Sequence, residues 1–228
     1  MNFRSTFDQH LHENRYLYLF FATLLQVFLV SFFPGRHNIL INEITFSIFM
    51  LANINLVRHS RRIIIIMLFF AIISVFLVWV PDRSDLGHKI YLYEKLIVIL
   101  FITVIIYHII IQILDSKKVN ANVVFGVITI YILFGLIAGE CNLLIYFRDN
   151  MAFSGNFDAT DPSDLRYFGY VTITTLGYGD IAPVSQIARA SAVFFSLTGQ
   201  IYLAVVIALI VGKYVSHSDK QKHEEAGN

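Results

Sequence analysis

The chain has 228 residues, of which 57% are hydrophobic and only 14% are charged, and its mean hydropathy is +0.66. A soluble domain is about 45–50% apolar and about 25% charged, so this composition excludes an ordinary water-soluble domain and indicates an integral membrane protein. The net charge of +1 offers no basic surface for nucleic acid, and a single cysteine, Cys141, excludes an intrachain disulfide framework.

Six apolar runs are long enough to cross a bilayer, several of them close to the ~20 residues that a span needs, and we predict a transmembrane helix in each. In chain order they cover residues 16–33, 38–57, 63–80, 90–114, 121–147 and 184–214. Acidic residues before the first run, and the absence of a small-x-small cleavage site after it, favour a retained helix over a signal peptide. A shorter helix predicted over residues 162–174 is too short to span.

The distribution of Lys and Arg predicts the orientation. With the amino terminus inside, the cytoplasmic segments carry ten of these residues and the outer segments seven, and the compact clusters at residues 58–62 and 117–118 fall inside. We therefore predict a multi-pass protein of the cell membrane with both termini cytoplasmic. The segment between the fifth and last runs then faces outside.

Residues 161–180 read DPSDLRYFGYVTITTLGYGD and carry the most specific chemistry in the chain. Asp161 suits a helix N-cap and Pro162 the first helical position. Gly177 and Gly179 let the backbone reach φ > 0 at every second residue, which turns successive carbonyls the same way. Non-helical backbone at membrane depth is tolerated only where it is buried in protein or lines a water-filled path, so we predict that these carbonyls face a pore.

The pattern T-x-T-T-x-G-Y-G-D resembles the selectivity-filter signature of the potassium channel family. The resemblance implies an all-α membrane protein with six transmembrane helices, and a re-entrant pore helix and filter between helices 5 and 6. It implies a homotetramer, K⁺ as the permeant ion and no cofactor. The residues that it assigns to ion binding are Thr175, Leu176, Gly177, Tyr178 and Gly179.

By the same resemblance, filter support and the outer mouth fall to Thr174, Asp180, Glu140, Tyr167 and Phe168. Tyr167 and Phe168 stand where the family commonly has a Trp pair. Because Phe168 has no donor, Asp180 must bond elsewhere, to a Tyr hydroxyl or to water. Many relatives have an acid, here Glu140, that bonds the backbone at the start of the last helix, and we expect this tie rather than a proton relay.

We expect residues 1–118 to form a four-helix scaffold, residues 119–215 a pore domain and residues 216–228 a short cytoplasmic tail. The fourth run offers only Lys95, next to Glu94. Four copies of one charge contribute about 9 kcal/mol per 100 mV, less than the tens of kcal/mol that steep gating uses, so the sequence predicts weak voltage dependence. The gating candidates are Gly199, as a hinge or a close-packing site, and an apolar constriction between Ile207 and Val211.

Two alternative functions stay open. A poorly selective monovalent cation channel would follow if the altered aromatic residues of the pore helix loosened the filter. A secondary transporter also places unwound backbone at mid-membrane, but that class is built from internal repeats, which the chain lacks. The sequence has no nucleophile–base set, metal cluster or phosphate loop, so we do not expect an enzyme. We expect the lipid bilayer and further copies of the chain as partners.

Overall fold

The computed structural model describes residues 14–32, 44–46, 48–49, 52–53, 65, 68–69, 72–73, 85–116, 121–157 and 161–226. The described residues are mostly helical, with one two-stranded antiparallel sheet. In chain order the elements are α1 (Arg15–Phe32), α2 (Asp85–Asp115), α3 (Ala121–Arg148), β1 (Phe153–Gly155), α4 (Pro162–Ile173), β2 (Ile181–Pro183) and α5 (Gln186–Ala226).

The observed helices correspond closely to those that the apolar runs predict. α1, α2, α3 and α5 match the first, fourth, fifth and last runs, and α4 matches the predicted short helix. The second and third predicted helices, at 38–57 and 63–80, lie largely outside the described residues.

Two helices extend further than predicted. α5 continues to Ala226, past the expected end at residue 214, because the polar residues 215–226 contain neither Gly nor Pro and the first glycine follows at Gly227. α2 begins at Asp85 rather than residue 90, where Ser84 and Asp85 are residue types that favour a helix start.

Among the described residues, three helical stretches are long and apolar enough to cross a membrane. They are Leu92–Asp115, Ala121–Arg148 and Gln186–Val206, with hydropathies of 2.8, 2.3 and 1.3. Arg15–Leu29 is a shorter apolar helix. These stretches agree with the membrane class that the composition indicates.

α3 lies at the centre of the described structure and packs against α1, α2, α4 and α5. The larger apolar core forms where α1 and α2 meet α3, and includes the fully buried Leu19, Ile105 and Leu133. A second core joins Leu165 of α4 to the sheet through Ile181. α4 is therefore held between α3 and the sheet.

The backbones of α3 and α4 touch at two glycines. A Cβ atom added at Gly169 would lie 2.5 Å from the backbone nitrogen of Gly139, and one added at Gly139 would lie 2.8 Å from Cα of Arg166. Contacts this close leave no room for a side chain, so the small residues allow the two helices to approach. This crossing fixes the position of α4 relative to α3.

We expect Gly169→Ala to destabilise the protein by about 1–3 kcal/mol, because the added methyl group forces the two backbones apart. Gly212→Ala in α5 is a matched control, since nothing lies within 4 Å of a Cβ atom there and both changes raise helix propensity equally. Thermal unfolding in detergent gives the melting temperatures of the two variants. Equal melting temperatures would contradict the close contact.

Candidate functional site

α4 begins with the cap that the sequence predicts. Asp161 is extended, with φ −103° and ψ 110°, and its Oδ1 accepts a hydrogen bond from the Ser163 amide at 2.9 Å. Pro162 occupies the first turn, where its fixed φ is favourable. The helix ends at Ile173 after 12 residues, or about 18 Å, which is shorter than the ~30 Å hydrocarbon core of a bilayer.

The backbone after α4 alternates in handedness. The φ angle is +58° at Thr175, +57° at Gly177 and +79° at Gly179, whereas Leu176 and Tyr178 between them have no positive φ. The glycine spacing predicted that φ would be positive at Gly177 and Gly179. Thr175 is the non-glycine residue at positive φ, a conformation that is strained for a β-branched side chain.

Two consecutive amides of this segment turn toward α4. The Leu176 and Gly177 N–H groups both donate to the Val171 carbonyl, at 3.0 and 3.4 Å. The described peptide bonds are trans, and in a trans peptide the N–H and C=O groups point in opposite directions. The carbonyls of Thr175 and Leu176 therefore point away from α4.

All seven residues from 174 to 180 are exposed in the single chain. Leu176 is 55% exposed and Tyr178 is 67% exposed. Thr174 is anchored, since its Oγ1 donates to the Tyr170 carbonyl at 2.7 Å.

The carboxyl-terminal end of the segment is held through Asp180. The Tyr167 hydroxyl donates to Asp180 Oδ2 at 2.7 Å, so a Tyr hydroxyl replaces the missing Trp donor. This bond raises the pKa of Tyr167 to about 12, because ionisation of the phenol would place a second negative charge beside the carboxylate. Phe168 is buried and packs edge-on against Phe153, with ring centroids 5.5 Å apart.

A small sheet adjoins the Asp180 end of the segment and was not predicted. β1 pairs with β2, with Gly155 opposite Ile181, and the Val184 amide donates to the Ala152 carbonyl at 2.8 Å. Gly155 has a φ of +129°, and a Cβ atom there would overlap the Asp180 carbonyl oxygen. Strands of three residues are too short to show a period-2 pattern, so no sequence signal marked them.

The amino-terminal end of the segment packs against α5. Gln200 Nε2 donates to Thr175 Oγ1 at 3.0 Å. Next to it, Gly199 is buried so closely against α4 that a Cβ atom would overlap the Ile173 carbonyl oxygen, which also accepts a hydrogen bond from the Tyr131 hydroxyl at 3.3 Å. This contact supports the close-packing alternative for Gly199. The side chains of Ile207 and Val211, the proposed constriction, lie outside the described residues.

A cluster of buried charges ties α4 to α2 and α3. Arg166 Nε donates to Glu140 Oε1 at 2.7 Å, and Lys95 Nζ lies 3.4 Å from Glu140 Oε2 and 3.2 Å from Glu94 Oε2. Glu140 is only 1% exposed. A buried charge is tolerated when it is paired, so each member of the cluster depends on the others.

The predicted partner of Glu140 was wrong. Its hydrogen bond goes to the Arg166 side chain rather than to the backbone at the start of α5. Arg166 reaches it because the absence of a side chain at Gly139 brings the two helices together at this level. Lys95, which the sequence places next to Glu94, also has the Glu140 carboxylate within 3.4 Å.

Residues 126–216, which contain most of α3, the whole of α4 and the 174–180 segment, match a family model described as "Ion channel". The chain is 29% identical over 115 residues to two-pore potassium channel 2 of Arabidopsis thaliana, which is 50% of this chain and 24% of that protein. It is 30% identical over 99 residues to potassium voltage-gated channel subfamily KQT member 1 of Xenopus laevis, which is 42% of this chain and 15% of that protein.

The chain thus spans at most about a quarter of the length of these relatives. No solved structure matches it at a significant level. The resemblance to the potassium channel family that residues 161–180 carry is confirmed by these comparisons. The chain contains a region similar to an ion channel domain, and its described residues include three helical stretches that are long and apolar enough to cross a membrane.

We expect Arg166→Met to destabilise the protein by about 3–5 kcal/mol, because it leaves the buried Glu140 carboxylate without its closest partner. The double variant Glu140→Gln with Arg166→Met should recover much of the loss, since neither charge then remains. Arg148→Met, at the exposed end of α3, is the control. Chemical unfolding in detergent compares the free energies of unfolding of the variants. Equal free energies for Arg166→Met and Arg148→Met would refute a stabilising role of the buried charge cluster.

Proposed function

We propose that the chain is one subunit of a potassium-selective channel, in which four copies surround a pore and K⁺ crosses the membrane passively. The observation that carries this proposal is the alternating φ across Thr175–Gly179, directly after a capped helix that is too short to span a bilayer. The similarity to potassium channels supports the choice of ion.

The chemistry of the proposed site is the exchange of water for protein oxygens. A cation that enters a narrow pore loses its hydration shell, and carbonyl oxygens arranged in a ring can replace it. In the proposed filter these oxygens come from the backbone between Thr175 and Gly179 and from the Thr175 hydroxyl. The direction of the Thr175 and Leu176 carbonyls, away from α4, supports this assignment.

One chain supplies only one wall of such a site, and the family resemblance implies four. In that arrangement part of the exposed apolar surface of α5 would lie against neighbouring subunits and the rest against lipid. Its members are Ile187, Val193, Phe194, Leu197, Ile201, Leu203 and Val205. In the tetramer, the exposed 174–180 segments of four copies would meet on the common axis.

Charge supports cation entry from both ends of the proposed filter. The carboxyl-terminal end of α4 carries a partial negative charge and lies beside Thr175, where it would stabilise a cation at the inner end. Asp180 at the outer mouth would raise the local cation concentration. Its hydrogen bond to Tyr167 holds the carboxylate in place.

In the proposed topology, α4 enters the membrane from outside and the 174–180 segment returns to the same side. Six transmembrane helices, made of α1, residues 38–57 and 63–80, α2, α3 and α5, then leave both termini cytoplasmic in the cell membrane. We assign residues 1–118 to a scaffold, 119–215 to the pore and 216–228 to the tail. K⁺ crosses unchanged, and the proposal includes no cofactor and no chemical reaction.

The proposed scaffold role of the first region is supported by Lys95. Its side chain is 7% exposed, and its amine pairs with Glu94 and Glu140. Movement of α2 through the membrane field would separate the buried pair of Lys95 and Glu140, which is costly, and would carry Glu94 along with Lys95, so that the two charges largely cancel. We therefore retain the expectation of weak voltage dependence.

Flux measurements in liposomes test the proposal. We expect purified protein to pass K⁺ down its gradient, to pass Na⁺ far more slowly, and to be blocked by Ba²⁺. Gly177→Ala should abolish the flux, because alanine at a φ of +57° is strained and its side chain would crowd the axis. Gly212→Ala, where a Cβ atom meets nothing within 4 Å, should conduct like the wild type.

Chemical cross-linking of the same samples should give four copies in all three proteins. Equal flux in the wild type and Gly177→Ala would place the ion path elsewhere and contradict the proposal. Equal K⁺ and Na⁺ fluxes that are both lost in Gly177→Ala would favour the poorly selective cation channel instead.

A further inference from the structure

Gln200 places a carboxamide against the inner end of the 174–180 segment. Its Nε2 donates to Thr175 Oγ1 at 3.0 Å, although the two residues are 25 positions apart in the chain. The neighbouring Gly199 packs directly against the Ile173 carbonyl. This contact fixes the position of α5 along its axis relative to this end of the segment. Gln200 is exposed in the single chain, on the side that the proposed pore would fill with water.

The hydrogen bond uses the oxygen that the proposed function assigns to K⁺. A Thr hydroxyl has one donor and two acceptor lone pairs. The amide N–H occupies one of these lone pairs and brings the positive end of its dipole within hydrogen-bond distance of Oγ1. Both effects oppose a cation at this oxygen, and a tetramer would repeat them four times.

We infer that Gln200 is a positioning residue that weakens cation binding at the innermost site of the filter. The inference rests on the proposed function, because it requires that Thr175 faces the ion. Conduction needs sites that bind a cation strongly enough to admit it and weakly enough to release it. In the proposed tetramer, four Gln200 amides would surround the pore. They would adjust how strongly a cation binds where ions pass between the filter and the inner pore.

Block by Ba²⁺ from the side of the α5 carboxyl terminus measures the strength of this site. Ba²⁺ is similar in size to K⁺ and carries twice the charge, so it binds the same oxygens more tightly. We expect Gln200→Met, which keeps the length of the side chain and removes the amide, to be blocked at about threefold to tenfold lower Ba²⁺ concentration. This factor corresponds to one ordinary hydrogen bond.

Gln186→Met is the matched control. Gln186 is also exposed on α5, and it lies 14 residues before Gln200, about 21 Å away along the helix axis. Its substitution should leave Ba²⁺ block unchanged. Gln200→Leu serves as a second variant without the amide. For any variant that does not conduct, calorimetry of Ba²⁺ binding to the solubilised tetramer compares the Ba²⁺ affinity with that of the wild type.

A double-mutant cycle with Thr175 separates this role from helix packing. In a Thr175→Ala background the oxygen is gone, so Gln200→Met should have no further effect on Ba²⁺ block. In Thr175→Ser the hydroxyl remains, and the effect should remain with it. A general packing role for Gln200 would change all three backgrounds alike.

Unchanged or weaker Ba²⁺ block in Gln200→Met would overturn the inference, and so would an equal effect in the Thr175→Ala background. The absence of any K⁺ flux in the wild type would overturn the proposed function instead. The two failures are therefore distinguishable.

Discussion

The conformation of residues 174–180 depends on finding a partner for each of their backbone N–H and C=O groups. An amide or carbonyl group without a partner costs several kcal/mol in apolar surroundings (roughly 2–7). The Leu176 and Gly177 amides solve this by sharing the Val171 carbonyl, which turns the carbonyls of Thr175 and Leu176 away from α4. In the proposed tetramer a dehydrated K⁺ is the partner of those carbonyls, so the ion and the non-helical backbone stabilise each other.

The elements around this segment hold it at both ends and along the side that faces α4. α4 rests on α3 through a glycine contact, and the buried pair of Arg166 and Glu140 prevents the two helices from sliding apart. The Asp180 end is held by the sheet and by the Tyr167 hydroxyl, and the Thr175 end by Gln200 of α5. A cage that distinguishes one cation from another depends on the number and field strength of its carbonyls, and these supports hold the carbonyls in place.

The sequence predicts the parts of this site that depend on neighbouring residues. The cap at Asp161, the short length of α4 and the positive φ at Gly177 follow from residue types within a few positions of one another. Contacts between distant residues were missed: Arg166 and Glu140 are 26 positions apart, and no periodic pattern marks such a pair. The positive φ of Thr175 was equally hidden, because a β-branched residue disfavours that conformation and only the surrounding hydrogen bonds impose it.

A crystal structure of the protein prepared with Tl⁺ in place of K⁺ would test the ion cage most directly, because Tl⁺ scatters anomalously and is similar to K⁺ in size. We expect anomalous peaks on a four-fold axis, each surrounded by carbonyl oxygens of residues 175–178 from four copies. Peaks away from these carbonyls, or chains whose 174–180 segments do not meet on a common axis, would contradict the assignment of this backbone to ion binding.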